Sequence, residues 1–127
     1  MENKRLRILR TRADFIHLKT SGQKSSPNRW VSFFSVPTST EDLRIGFTLS
    51  RKVGTAVTRN RLRRWGREFF RQALKQGLDM GADINVVFRP MEPGFYKDLE
   101  HSEFDQAFEK GLGLVRNRLS KSRPSSD

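Results

Sequence analysis

The segment 51–75, RKVGTAVTRNRLRRWGREFFRQALK, constrains the chain most, because it carries nine Lys or Arg and a single acid, Glu68. On a helical wheel Leu62, Trp65, Phe69 and Ala73 share one side, joined by Gly66 where close backbone approach is possible. Asn60, Arg61, Arg63, Arg64, Arg67, Arg71 and Lys75 occupy the other side, across an arc of roughly 160°. The spacing predicts a helix over 56–75, ending before Gly77, with one face buried and the other lined by cations. A solvated helix face usually mixes signs and gains from i,i+4 pairs. Here most such pairs join Arg to Arg or to a neutral residue, and they repel unless an outside anion is present. Arginine forks bind phosphate oxygens bidentately and stack on bases. Asn60 adds a donor and an acceptor suited to a base edge or a ribose hydroxyl.

The excess of cations extends to the whole chain, with 25 Lys and Arg against 14 Asp and Glu and a formal charge of +11. That charge repels itself in a folded monomer, so a polyanionic partner is expected. The 127 residues, 35% hydrophobic with ten Phe, suffice for one core, which predicts a single domain over 1–119. The polar stretch 120–127, SKSRPSSD, reads as a frayed tail. There is no Cys, which excludes disulfides and Cys-based zinc sites. No run approaches the ~18 apolar residues of a membrane span. The basic stretch 1–12 lacks the apolar core of a signal peptide. A cytoplasmic protein is expected, with polybasic membrane binding as the alternative.

The first helix is predicted from Thr11, whose side chain can cap it with Asp14 three residues on, to Gly22. Residues 30–36 (WVSFFSV) form an aromatic and β-branched strand that stops at Pro37. In 44–50 (RIGFTLS), Ile45, Phe47 and Leu49 alternate with Arg44, Gly46 and Thr48. These two runs are close enough to pair as an antiparallel hairpin. Residues 82–88 (ADINVVF) read as a strand buried on both faces, and 91–97 as a loop. A last helix over 102–119 aligns Phe104, Phe108, Leu112, Val115 and Leu119, while Gly111 and Gly113 weaken it by roughly 1 kcal/mol each. The order helix, strands, helix, strand, helix predicts an α+β sandwich with one main sheet.

The block 46–70 resembles the signature of the bacterial ribonuclease P protein family. The matching residues are Arg51-Lys52-x-Gly54-x-Ala56-Val57-x-Arg59-Asn60-Arg61, then Arg63-Arg64 and Arg67-Glu68. Upstream the similarity includes Asp14-Phe15-x-x-Leu18 with Gly22, and downstream a strand closing on Arg89-Pro90, so it covers about 5–118. The resemblance implies a two-layer α/β sandwich like that of some ribosomal proteins. Its sheet has roughly four strands, with three helices in the order α-β-β-β-α-β-α. It also implies a left-handed β-α-β crossover, against the usual right-handed rule. It assigns Arg51, Lys52, Arg59, Asn60, Arg61, Arg63, Arg64 and Arg67 to contact with a catalytic RNA. The resemblance further implies a cleft between the first helix and the sheet that receives the single-stranded 5′ leader of precursor tRNA, with Phe15 and Phe33 as its aromatics. Lys19 stands where some relatives carry another aromatic, which shifts contact there from stacking toward a phosphate. For both phenylalanines, membership of the core is the alternative.

The same resemblance implies that the chain holds no catalytic residue, metal or cofactor of its own. Mg²⁺ acts through the ribonuclease P RNA, and the complex hydrolyses precursor tRNA as an endoribonuclease. The protein is expected to be a monomer in a 1:1 complex with that RNA, with no obligate protein partner. His17 reads as a surface residue, and the carboxylates around His101 (EHSEFD) suit a helix N-terminus better than a metal. No Walker loop, dinucleotide glycine pattern or nucleophile elbow is present. A structural ribosomal or assembly protein shares the charge but does not require the full Arg-Asn-Arg block. A DNA-binding module lacks a preceding helix at turn distance, and a stand-alone nuclease lacks converging carboxylates.

Overall fold

The computed structural model describes residues 6–122. Its elements are β1 (Leu6–Ile8), α1 (Arg12–Ser21), β2 (Gln23–Ser25), β3 (Val31–Pro37), β4 (Leu43–Thr48), α2 (Ala56–Lys75), β5 (Ala82–Phe88), a short α3 (Phe95–Asp98) and α4 (His101–Ser122). The α+β class and the chain order of the main elements follow the expectation. The short strand β1 and the single turn α3 are additions to it. Helix α4 continues to Ser122, three residues into the stretch expected to fray, and 123–127 lie outside the described residues.

The strands lie in the order β1-β4-β5-β3-β2. The expected hairpin between β3 and β4 does not form. Strand β5 lies between them, antiparallel to β3 and parallel to β4, and Ala82 is paired with both Pro37 and Leu43. The five residues 38–42 therefore cross the end of β5, spanning two strand spacings of roughly 10 Å, and Thr38 N–H donates to the Gly81 carbonyl at 3.1 Å. An apolar strand with both faces covered takes the centre because only there are both its edges and both its faces satisfied.

One face of the sheet carries the main core. Val31, Phe33, Ile45, Ile84 and Val86 are fully buried there with Leu62 and Phe70 of α2 and Phe104, Phe108 and Val115 of α4. The Phe104 and Phe108 rings stack at 4.1 Å, and Phe33 meets Phe108 edge-on at 5.1 Å. The glycines that weaken a helix on paper serve this packing. A Cβ at Gly111 would lie 2.5 Å from the Phe33 ring, and one at Gly66 would overlap the Phe47 ring of β4. The buried stripe of α2 centres on Leu62, Gly66 and Phe70, while Trp65, Phe69 and Ala73 are only half-buried. It is thus rotated from the stripe that the wheel suggests.

Helix α1 crosses the opposite face. Thr11 caps it as expected, its Oγ1 accepting from Asp14 N–H at 3.1 Å. Asp14 also reaches Arg44 at 3.4 Å, and Arg44 holds buried Asp83 through two bonds of 2.8 and 2.6 Å. The Asp83 hydrogen bond raises the Arg44 pKa above its ordinary value. A Cβ at Gly46 would lie 2.6 Å from the Phe15 ring, so this glycine lets α1 sit close to β4.

Candidate nucleic-acid interface

Two surfaces emerge, one on each side of the sheet. The first is the outer face of α2 with the 3-10 turn before it (Arg51–Val53). Thr55 caps α2, accepting from Thr58 N–H at 3.2 Å. Buried Leu62, Gly66 and Phe70 then orient the helix so that Asn60, Arg64, Arg71 and Lys75 are exposed and Arg63 and Arg67 half-exposed. Arg51 and Lys52 are exposed on the turn. Arg63 donates to the Asn60 side-chain oxygen at 3.1 Å, and Arg59 Nε donates to the Gly54 carbonyl at 3.2 Å. Among the described residues, a single ion pair involves α2, Arg64 with Glu68 at 3.9 Å, and both side chains are more than half exposed. A pair that open to water is worth well under 1 kcal/mol and leaves the Arg64 fork available. The cation face is therefore not neutralised from within.

Arg61 is the exception and corrects the expectation. It turns toward the protein, where its Nη2 donates to the carbonyls of Tyr96 and Lys97 and its guanidinium lies over the Trp65 ring. The wheel places Arg61 at the end of the cationic arc, where α3 covers it, and neither α3 nor its carbonyls were legible in the spacing. A further cleft of about 660 Å³ runs between α2 and α4, edged by Glu68, Asp105 and Glu109 together with His101 and Arg116.

The second surface is a cleft of about 360 Å³ between α1 and the sheet, lined by Arg12, Phe15, Ile16, Lys19, Phe34, Thr48, Asn85 and Val87. Phe15 and Lys19 fall where they were expected. Phe33 does not, and this is the second correction. It is fully buried on the other face of β3 against Phe108 and Gly111. Its neighbour Phe34 points into the cleft, with the Lys24 ammonium 6.0 Å from its ring. On the cleft floor the Asn85 amide donates to Thr48 Oγ1 at 3.0 Å. Ile16, half exposed on α1, adds an apolar edge. A groove with aromatic and apolar walls and cations at its rim suits an unpaired strand of nucleic acid, whose bases stack while its phosphates face the cations.

His17 is exposed, and His101 stacks flat on Trp65 at 4.3 Å, 3.7 Å from Asp105. Among the described residues no three His, Asp or Glu side chains come together in a way that could hold a metal ion. No helix among them is long and apolar enough to cross a membrane.

Fold and charge together define a basic α+β protein with an arginine-faced helix on one side of its sheet and an aromatic cleft on the other. The profile of the Ribonuclease P family matches residues 3–116, and the chain belongs to that family. It is 32% identical over 108 residues to the ribonuclease P protein component of Thermotoga petrophila, covering 85% of this chain and 88% of the relative. It is 30% identical to that of Clostridioides difficile over 103 residues, 80% and 90% of the two chains. The solved ribonuclease P protein of Thermotoga maritima in complex with 1-(4-fluorophenyl)-2-thiourea superposes with a TM-score of 0.73 at 28% identity, covering 85% of this chain and 97% of the other. The Staphylococcus aureus protein shares the fold at a TM-score of 0.73 and 24% identity, over 86% and 94% of the chains. Membership implies a role in tRNA 5′ processing as the protein component of a ribonuclease P complex.

Proposed function

We propose that this chain binds the ribonuclease P RNA through the open face of α2 and the 5′ leader of precursor tRNA through the cleft under α1. The RNA then removes the leader by Mg²⁺-dependent phosphodiester hydrolysis, leaving the mature tRNA 5′ end. The observation that carries this reading is the α2 face itself. Arg51, Lys52, Arg59, Asn60, Arg63, Arg64 and Arg67 lie on or beside one surface, with a single weak acid partner among the described residues.

In this reading each group has a definable task. The α2 arginines release counterions from RNA phosphates on binding, which supplies affinity that falls with salt. Phe15 and Phe34 stack on leader bases of any sequence, while Arg12 and Lys19 at the rim face the phosphates between them. Leader affinity favours substrate over product, because mature tRNA has no leader. Mg²⁺ is held by RNA oxygens, and the protein's cations lower the phosphate repulsion that Mg²⁺ would otherwise have to screen. The protein acts as a monomer in a 1:1 complex with its RNA.

Reconstitution tests the reading. Protein with ribonuclease P RNA should cleave precursor tRNA at low Mg²⁺, where RNA alone is slow, and protein alone should not cleave. Cleavage by the protein without RNA would overturn the assignment of catalysis to the RNA.

A further inference from the structure

Arg61 lies within the Arg-Asn-Arg run, yet its guanidinium is turned inward and one of its nitrogens is already committed. Nη2 donates to the Tyr96 carbonyl at 2.6 Å and to the Lys97 carbonyl at 3.2 Å, and the guanidinium lies 4.9 Å from the Trp65 ring centre. Its Nε is buried without a partner. With Nη2 on two main-chain carbonyls, Nε buried and an indole against its face, this guanidinium cannot present the two-nitrogen fork that grips a phosphate bidentately.

The nearer of the two carbonyls belongs to a residue that is itself anchored. Tyr96 is 2% exposed, and its hydroxyl lies 3.0 Å from the Trp30 carbonyl and 2.5 Å from that of Arg89. Trp30 immediately precedes β3 and Arg89 immediately follows β5, and Arg89 N–H donates to the Trp30 carbonyl at 2.9 Å. A continuous set of contacts thus runs from the first turns of α2, through α3, to the joined ends of β3 and β5. The same two strands present Phe34, Asn85 and Val87 to the leader cleft on their other face.

We propose that Arg61 and Tyr96 are positioning residues that lock the N-terminal half of α2 to the ends of β3 and β5, holding the RNA face and the leader cleft in one fixed frame. This rests on the RNA-binding reading above and goes past it, because it removes Arg61 from the RNA contacts and gives it a different task. If RNA grips α2 and the leader lies across β3 and β5, the angle between helix and strands sets where the leader meets the cleft. A loosened brace misplaces the leader without removing any phosphate contact.

The test uses Arg61→Gln, Arg61→Lys, Tyr96→Phe and the Arg61→Gln/Tyr96→Phe pair, with Arg67→Ala as the comparison. Affinity for ribonuclease P RNA is measured across salt, and the assembled complexes are then titrated with precursor and with mature tRNA. Arg61→Gln should reduce the preference for precursor over mature tRNA roughly tenfold, the scale of a lost charged hydrogen bond. Its salt slope for RNA should equal that of the wild type. Tyr96→Phe should act in the same direction, and the pair should be no worse than about twofold beyond the stronger single change, as members of one unit behave. Arg61→Lys restores the charge but not the fork, so it should not rescue the preference. Arg67→Ala should lower the slope by about 0.7–0.9.

Three results would overturn the proposal: a slope loss in Arg61→Gln matching that of Arg67→Ala, rescue by Arg61→Lys, or an unchanged precursor preference. An unchanged slope in Arg67→Ala would instead bring down the RNA-binding reading, and the proposal with it.

Discussion

Phe33 and Phe34 are adjacent in β3 and point to opposite faces of the sheet, so one carries the core and the other the cleft. Their identities alone do not say which is which. The decision lies in register, because Phe33 pairs with Val86 and Phe34 with Asn85 in a strand whose Ile84, Val86 and Phe88 face α4. A shift of one residue exchanges the two faces. Phe33→Ala should cost about 3–5 kcal/mol of stability, as other large core truncations do, read as a fall in thermal midpoint with precursor and mature tRNA affected alike. Phe34→Ala should leave the midpoint nearly unchanged and weaken binding of precursor by roughly tenfold relative to mature tRNA, the scale of one lost base stack. Equal losses for the two tRNAs in Phe34→Ala would remove it from the leader site. Tyr96 offers a further check. Burial raises its hydroxyl pKa above the ordinary value near 10, whereas the unfolded chain ionises there. The folded protein therefore binds the extra proton, so this stabilisation is present below about pH 10 and is lost as pH rises beyond it. The stability gap between wild type and Tyr96→Phe should narrow on that alkaline side, and a gap independent of pH would contradict the buried hydroxyl.

Helix α2 shows what a wheel conveys and what it omits. Its length, its cationic face and its burial through Leu62 and Gly66 all follow from residue spacing, whereas the Thr55 cap emerges only in the fold. The exact rotation does not, since it depends on Phe70 entering the core and on Phe47 of β4 seating against Gly66. Gly66→Ala tests that seating. Helix propensity alone favours Ala by about 1 kcal/mol, but the added methyl would overlap the Phe47 ring, and overpacking costs typically 1–3 kcal/mol. A net loss of thermal stability is expected, and a gain would mean that the helix does not sit where described. The inward turn of Arg61 was not legible for a similar reason, because its partners are main-chain carbonyls of α3, some 35 residues away in sequence. Carbonyls have no sequence signature. Likewise β1 and β2, three residues each, are too short to show a period and exist through pairing with β4 and β3.

At the scale of the whole molecule the sheet separates two tasks. Core packing of α2 and α4 on one side turns the arginine row outward, while α1, raised on Gly46 and tied through Asp14 and Arg44 to Asp83, leaves a groove on the other. Asp83→Asn should cost about 2 kcal/mol, since it leaves a partly exposed Arg44 without its charged partner. It should also loosen α1 and so weaken leader binding without touching the affinity for RNA. A parallel loss of both would mean that the two surfaces are not separable. The insertion of β5 between β3 and β4 makes this arrangement possible, and no local pattern announces it, because strand order is decided by which strand can bury both faces. The central claim is that the outer face of α2 docks on RNA phosphates, and the salt dependence of ribonuclease P RNA binding tests it most directly. Replacing Arg63, Arg64 and Arg67 together with Ala should reduce the slope of log affinity against log salt by about 2–3, one unit or slightly less for each lost phosphate contact. A slope identical to that of the unsubstituted protein would show that this face does not meet the RNA.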